Sequence, residues 1–129
     1  MKPMVHCPCC HREWRARPND RLPLFALKQL AFSFVTTETD VSGRELLGRR
    51  RPKHLVEARA MFVWICKTFG PADISYPTIG GWLNKNHASV MYLWREVVPD
   101  LFERSAAFQA SCWRFPKFAA RAQEETTCV

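Results

Sequence analysis

The chain has 129 residues, 47% of them hydrophobic, and its 19 lysines and arginines against 12 acids give a formal charge of +7 and a pI near 9.4. That length buries one modest core, so a single domain with ragged ends is expected and a second independent domain is not. The charge points to an anionic partner, nucleic acid or an acidic membrane surface, while no segment approaches the apolar length that crosses a bilayer, which excludes a membrane-spanning helix.

Residues 1–21 form a head rich in cysteine and arginine. Six cysteines would suit disulfides in a secreted chain. The start, MKPMVHCPCCHREW, lacks the apolar run of a secretory signal, so a reduced cytoplasmic setting is expected, with metal binding or burial as the roles for cysteine. Cys7 and Cys10 have the C-x2-C spacing that lets two thiolates grip one tetrahedral Zn2+. His6 and His11 are the candidates to complete that site, with Cys112 and Cys128 as remote alternatives; a solvent-facing cluster of reduced cysteines is the competing reading. Arg12, Arg15, Arg17 and Arg21 follow, with Trp14 among them and Pro18 to Asp20 as a turn, a pattern that suits either a phosphate backbone or a solvated basic linker.

From Leu22 to about Val35 the sequence predicts a helix with Pro23 in its first turn, and Phe25, Leu27, Leu30, Ala31 and Phe34 make its buried face. Thr36 to Asp40 then supply turn and capping groups, and Val41, Leu46 and Leu47 return the chain to the core. Arg49, Arg50, Arg51 and Lys53 put four cations in five positions, kept out of a continuing helix by Pro52. Such a run needs solvent or phosphate to screen it. A central helix is expected from about His54 to Phe69, on the stripe Leu55, Ala58, Phe62, Ile65, Phe69, and Gly70 and Pro71 end it. Met61, Val63, Trp64 and Cys66 widen its apolar surface beyond one face, which places it among other helices.

Ser75 then caps a short helix with Pro77 in its first turn. A second helix starts near Asn86, after Gly80 and Gly81 and the polar run Asn84 to Ser89, with Val90, Trp94 and Val97 as its inner stripe. Two helices joined by a short turn, the second with a hydrophilic and basic start, have helix-turn-helix layout, in which that start enters the DNA major groove. Asn86 can cap the helix or pair with adenine, His87 and Ser89 can bond a base edge, and Ala88 suits a thymine methyl. Lys85 and Arg95 are placed for phosphates. Residues 99–129 extend the domain: Leu101, Phe102, Ala106 and Phe108 predict a helix ending before Pro116, followed by a tail helix around Phe118 to Ala122. The aromatic residues there suit the core, nucleic acid or a protein partner.

The stretch IGGWLNKNHASVMYLWREV, residues 79–97, resembles the signature that closes the DNA-binding domain of the bacterial replication initiator DnaA. Leu83, Asn84, Lys85, Asn86, His87, Ser89, Val90, Met91, Glu96 and Val97 fit it, and Val41 and Glu45-Leu46-Leu47 extend the resemblance upstream, to roughly residues 24–98. Ala88 stands where the family has a hydroxyl or proline, and Leu93 where it has a small residue, which implies a different preferred sequence. The fold implied is mainly α, a compact helical bundle of the Trp-repressor-like kind spanning 22–98. The resemblance further implies that the basic loop inserts an arginine, Arg50 or Arg51, into the minor groove, and that Arg59 pairs with an acid or a phosphate.

The ATP-hydrolysing module of DnaA needs a G-x4-G-K-[ST] loop, and this sequence has none. A non-enzymatic binder of double-stranded DNA is therefore expected, serving transcription regulation or a replication origin. Asn86, His87, Ala88 and Ser89 would read bases, Arg50 or Arg51 would enter the minor groove, and Arg49, Lys53, Arg59, Lys85 and Arg95 would hold phosphates. The alternative is an adaptor that uses the cysteine-rich head and aromatic tail to hold a protein. The first reading requires the helix start near Asn86 and the arginine loop to lie on one side of the molecule.

Overall fold

In the computed structural model the backbone is described for residues 5–6, 13–14 and 22–127, and side chains for 22–122 apart from Phe25. Two short strands, β1 (Val5–His6) and β2 (Glu13–Trp14), pair antiparallel, with Val5 opposite Trp14. All the rest of the regular structure is helical, so the mainly α class and the helix-turn-helix bundle hold.

The centre is α3, Lys53–Phe69. Pro52 precedes it and needs no N–H there, and Gly70 ends it by donating its N–H to the Cys66 carbonyl. Every residue from Ala58 to Cys66 is buried, so the helix has no outer face along that stretch. It is enclosed on one side by α1 (Leu24–Thr39), which buries Leu27, Ala31, Phe34 and Val35, the i, i+4, i+7, i+8 pattern of an amphipathic helix.

The expected turn at Thr36 to Asp40 is not where α1 ends. The Thr36 and Thr39 hydroxyls donate to the Phe32 and Val35 carbonyls at 2.8 and 2.6 Å, which keeps the hydroxyl-rich segment helical. The helix stops only at Asp40, in the left-handed conformation with φ 55°. Ser42 and Glu45 then form a reciprocal capping box that starts α2, Gly43–Leu47. Val41 and Leu46 reach the core as expected, but Leu47 is 36% exposed and turns away from it.

Ser75 caps α4 (Tyr76–Leu83), accepting from the Thr78 N–H, and Asn84 ends it in the left-handed region at φ 57°. Asn86 caps α5 (His87–Tyr92), its Oδ1 accepting from the Ser89 N–H at 2.8 Å. The helical path then continues without a break through a π-turn at Leu93–Val97 into α6, Val98–Arg104. The Val98 N–H reaches back five residues to the Leu93 carbonyl, and Pro99, which has no N–H to give, follows at once. A widened turn next to a proline relieves the ring's clash with the preceding carbonyls. It also shifts the inner stripe. The buried residues are Val90, Leu93, Val98 and Leu101, whereas Trp94 and Val97, expected on that stripe, are half-buried.

Ser105 breaks the path and caps α7 (Ala106–Cys112), and α8 (Phe115–Thr127) takes Pro116 in its first turn, so the last helix is longer than the short tail element expected. Phe108, Cys112, Phe115 and Ala119 join the same core as α1 and α3. Phe115 meets Phe34 and Phe69 with ring centroids 5.4 and 5.1 Å apart, and Trp113 crosses Trp64 edge-on at 5.2 Å. Arg114, in the turn between α7 and α8, pairs with Glu38 of α1.

The glycine pair of α4 is not equivalent. A Cβ at Gly80 would lie 2.5 Å from the Lys85 carbonyl oxygen, whereas one at Gly81 would meet nothing within 4 Å. Gly80→Ala should therefore force the turn apart and lower stability by about 2 kcal/mol, and Gly81→Ala should raise it by about 0.5–1 kcal/mol through helix propensity. Urea denaturation midpoints of the two variants check both signs.

Candidate nucleic-acid interface

The loop between α2 and α3, residues 48–52, has no regular structure of its own, and its shape comes from one side chain of α3. Arg59, 3% exposed, is the only buried charged residue among the described ones. Its Nε donates to the Leu46 carbonyl at 2.9 Å, Nη1 to Arg50 at 2.7 Å, and Nη2 to Glu45 and Gly48 at 3.0 and 2.9 Å. A planar fork of five donors suits four converging carbonyls in a way no other side chain does. Burial lowers its pKa from the usual arginine value, with Arg51 adding to the effect. Four of the five donors of Arg59 are spent on the loop, which corrects the role expected for it: the guanidinium is first an internal clamp, not a partner for an acid or a phosphate.

A second cation closes over the same loop from the helix-turn-helix side. Lys85 Nζ donates to the Gly48 carbonyl at 2.5 Å and lies 3.4 Å from that of Leu47, and Asn84 Nδ2 reaches the Leu47 carbonyl at 3.5 Å. These carbonyls terminate α2, where a helix carries partial negative charge, so an ammonium is favoured there. Desolvation lowers the Lys85 pKa, and Arg59, Arg51 and Arg49 lower it further. Lys85 is thus first a tether between the turn and the basic loop, with its remaining donor capacity open to a phosphate.

The consequence is positional. Arg51 from the loop and Val56 and Arg59 from α3 line one cleft of about 390 Å³ together with Lys85, Asn86, Ala88, Ser89 and Tyr92 from the turn and α5. The helix start and the arginine loop therefore lie on the same side of the molecule. Arg49, Arg50, Arg51, Lys53 and Arg95 are exposed, as are Asn86, His87 and Ala88, and Ser89 is half-buried. Of the two arginines offered for a minor groove, Arg51 lines the cleft beside the turn, while Arg50 gives its carbonyl to Arg59. Among the described residues the ion pairs are Arg104–Asp100 and Arg114–Glu38, so no carboxylate there neutralises the loop.

Asn86 has a narrower role than the sequence allows. With Oδ1 holding the helix cap, the two-point pairing with adenine would cost that cap, about 1 kcal/mol, leaving its NH2 group as the donor that is open. His87, Ala88 and Ser89 project from the first turn of α5, where base edges would be met. Tyr92, 61% exposed one turn further along, and Val56 were not foreseen; an aromatic at i+4 from Ala88 on the polar face was the available signal for the first.

The proposed zinc ligands Cys7, Cys10 and His11 lie outside the described residues, and His6 is described only as backbone in β1. Cys112, the remote alternative, is fully buried, and burial followed by Glu38 pushes its thiol up to about 12, so it is a core residue rather than a ligand. Cys66 is likewise buried, its thiol raised by desolvation. Among the described residues no group of three or more His, Cys, Asp or Glu could hold a metal ion, and no helix is long and apolar enough to cross a membrane.

A family described as the bacterial dnaA protein helix-turn-helix matches residues 31–97. The matched span runs from within α1 to the end of the π-turn and so contains Arg59, the basic loop, α4 and the start of α5. The segment from Val98 onward lies beyond it.

Replacing Arg59 by Met takes a donor from four carbonyls and leaves those of Leu46 and Arg50 with none among the described residues, which should lower stability by about 3 kcal/mol, and Arg59→Lys should recover only a minor part, since one ammonium cannot reproduce the fork. Chemical denaturation of the two variants against the parent chain gives the comparison; equal stability of Arg59→Met would show that the cage contributes nothing.

Proposed function

The chain belongs to the bacterial DnaA helix-turn-helix family and binds DNA, and from that premise we propose that it is a non-enzymatic, sequence-specific reader of double-stranded DNA. The start of α5 enters the major groove, where His87 bonds a base edge, Ser89 adds a weaker polar contact, and Ala88 packs on a thymine methyl. Arg51, with Arg50 beside it, enters the adjacent minor groove, whose narrow A·T-rich stretches concentrate negative potential. Arg49, Lys53 and Arg95 hold phosphates and fix the register. The observation that carries this reading is the Lys85 ammonium on the Gly48 carbonyl, because it joins the base-reading turn to the arginine loop at a fixed separation.

Two cellular roles use such a unit, regulation of transcription and assistance at a replication origin, and both place the chain in the cytoplasm with its DNA. The sequence carries no phosphate-cradling loop, so neither role includes ATP hydrolysis by these residues. These residues would act by occupying a site.

Selection of bound sequences from a random duplex pool should return a consensus with an A·T-rich segment at fixed distance from the bases read by α5. His87→Ala should cost about 1–3 kcal/mol on that site and relax preference at one position. With Arg49, Lys53 and Arg95 on phosphates and the remaining donors of Lys85 offering a fourth contact, log affinity should fall against log salt with a slope of roughly −4. An unaltered consensus for His87→Ala would refute the assignment.

A further inference from the structure

The cleft between the basic loop and α5 is lined by cations without carboxylate partners among the described residues and by apolar surface, and its width is fixed from within. Arg59 and Lys85 hold the carbonyls of the loop from two sides, so the wall carrying Arg51 does not need a ligand to position it. Tyr92, 61% exposed, also lines the cleft, and among the described residues its ring is neither stacked on another aromatic nor placed in the core. A solvent-exposed ring that shares the lining of a basic cleft with Val56 is unexplained by packing among the described residues.

Resting on the two-groove reading above, we propose that this cleft is the seat of the single sugar-phosphate strand that separates the major groove read by α5 from the minor groove entered by Arg51. Topology supplies the occupant. Two neighbouring grooves of a duplex are divided by one backbone strand, and a protein with one element in each must straddle it. Charge agrees, since Arg51 and Lys85 stand at the cleft and the phosphodiester is anionic. The apolar part of the lining suits the remaining surface of that strand, the C–H edges of the deoxyribose. Val56 and the Tyr92 ring close on the sugar, and a 2′-hydroxyl there would be pressed against apolar atoms without a partner. The cleft is thus a sugar-reading subsite as well as a phosphate-holding one.

The test uses the intact chain and the duplex returned by selection, carrying one neutral methylphosphonate or one ribonucleotide at a time along each strand. The expected result is a maximum of sensitivity at one or two consecutive units of one strand, between the bases read by α5 and the A·T-rich segment. Neutralisation there should weaken binding at least tenfold and a single ribose severalfold. Tyr92→Ala, an exposed position whose loss leaves the core intact, should shrink the ribose penalty while keeping the phosphate one. Sensitivity spread evenly along the strands, or a ribose penalty unchanged in Tyr92→Ala, overturns the proposal while leaving a selected consensus and its dependence on His87 standing. Absence of any consensus removes the two-groove reading itself, and the seat with it.

Discussion

A buried guanidinium governs this protein's working surface. Taking a full charge out of water costs several kcal/mol, and Arg59 recovers that cost only because four backbone carbonyls converge on its donors. The carbonyls need it equally. They belong to the end of α2 and to the loop after it; Glu45 also accepts from the Gly48 N–H and Gly48 from Lys85, but the carbonyls of Leu46 and Arg50 have Arg59 as their one donor among the described residues. Ordering a loop residue costs about 1–2 kcal/mol of backbone entropy. The internal hydrogen bonds meet that cost at folding, so a ligand arriving at the loop does not have to meet it again. Placing a charge at this point in α3 is what allows a run of exposed arginines to have a defined direction.

The base-reading turn is made rigid by a different device. α5 has six residues and would hold poorly as an isolated helix. Its continuation through the π-turn and Pro99 into α6 gives it an anchor, because Val98 and Leu101 lie in the core while His87 and Ala88 stand outside. The extra residue in the widened turn rotates the later stripe so that both halves point inward. At the other end, close contact of Gly80 with the Lys85 carbonyl sets the turn angle between α4 and α5. Lys85 therefore fixes the turn through its backbone and the loop through its side chain. One residue joins both halves of the surface.

Much of this was legible in the sequence, and the failures share a cause. The caps Ser75 and Asn86, the start of α3 after Pro52 and its end at Gly70 follow from local chemistry and hold as expected. Thr36 to Thr39 misled because hydroxyls that cap a turn can also bond back into a helix, and the choice depends on α1 packing against α3. The stripe Val90, Trp94, Val97 misled because a period of 3.6 cannot anticipate a five-residue turn. Arg59 was legible as an arginine but not as a buried one. Its partners are backbone atoms, which have no signature in the sequence, and they lie 9 to 14 residues away. The same limit hid the Lys85 tether, whose acceptor is 37 residues distant.

Electrostatics explains why these tethers end on carbonyls rather than carboxylates. A glutamate beside Lys85 would hold it as firmly, and would also neutralise the cluster that draws in a polyanion. A carbonyl gives a hydrogen bond and part of a dipole with no net charge, so Arg59 and Lys85 shape the loop while their positive charge continues to add to that of Arg49 and Arg51. The repulsion among them appears as the lowered affinity of Lys85 for its proton, which desolvation begins and its arginine neighbours increase. That repulsion works against the fold in the free protein, and any anion seated between the cations relieves it. Binding and stability are linked accordingly: a ligand that prefers the folded state stabilises it by mass action, and here part of that preference is the removal of a strain already present. A carboxylate tether would give a more stable free protein with less to gain from phosphate. The carbonyl tether holds the same geometry and reserves the electrostatic gain for the nucleic acid.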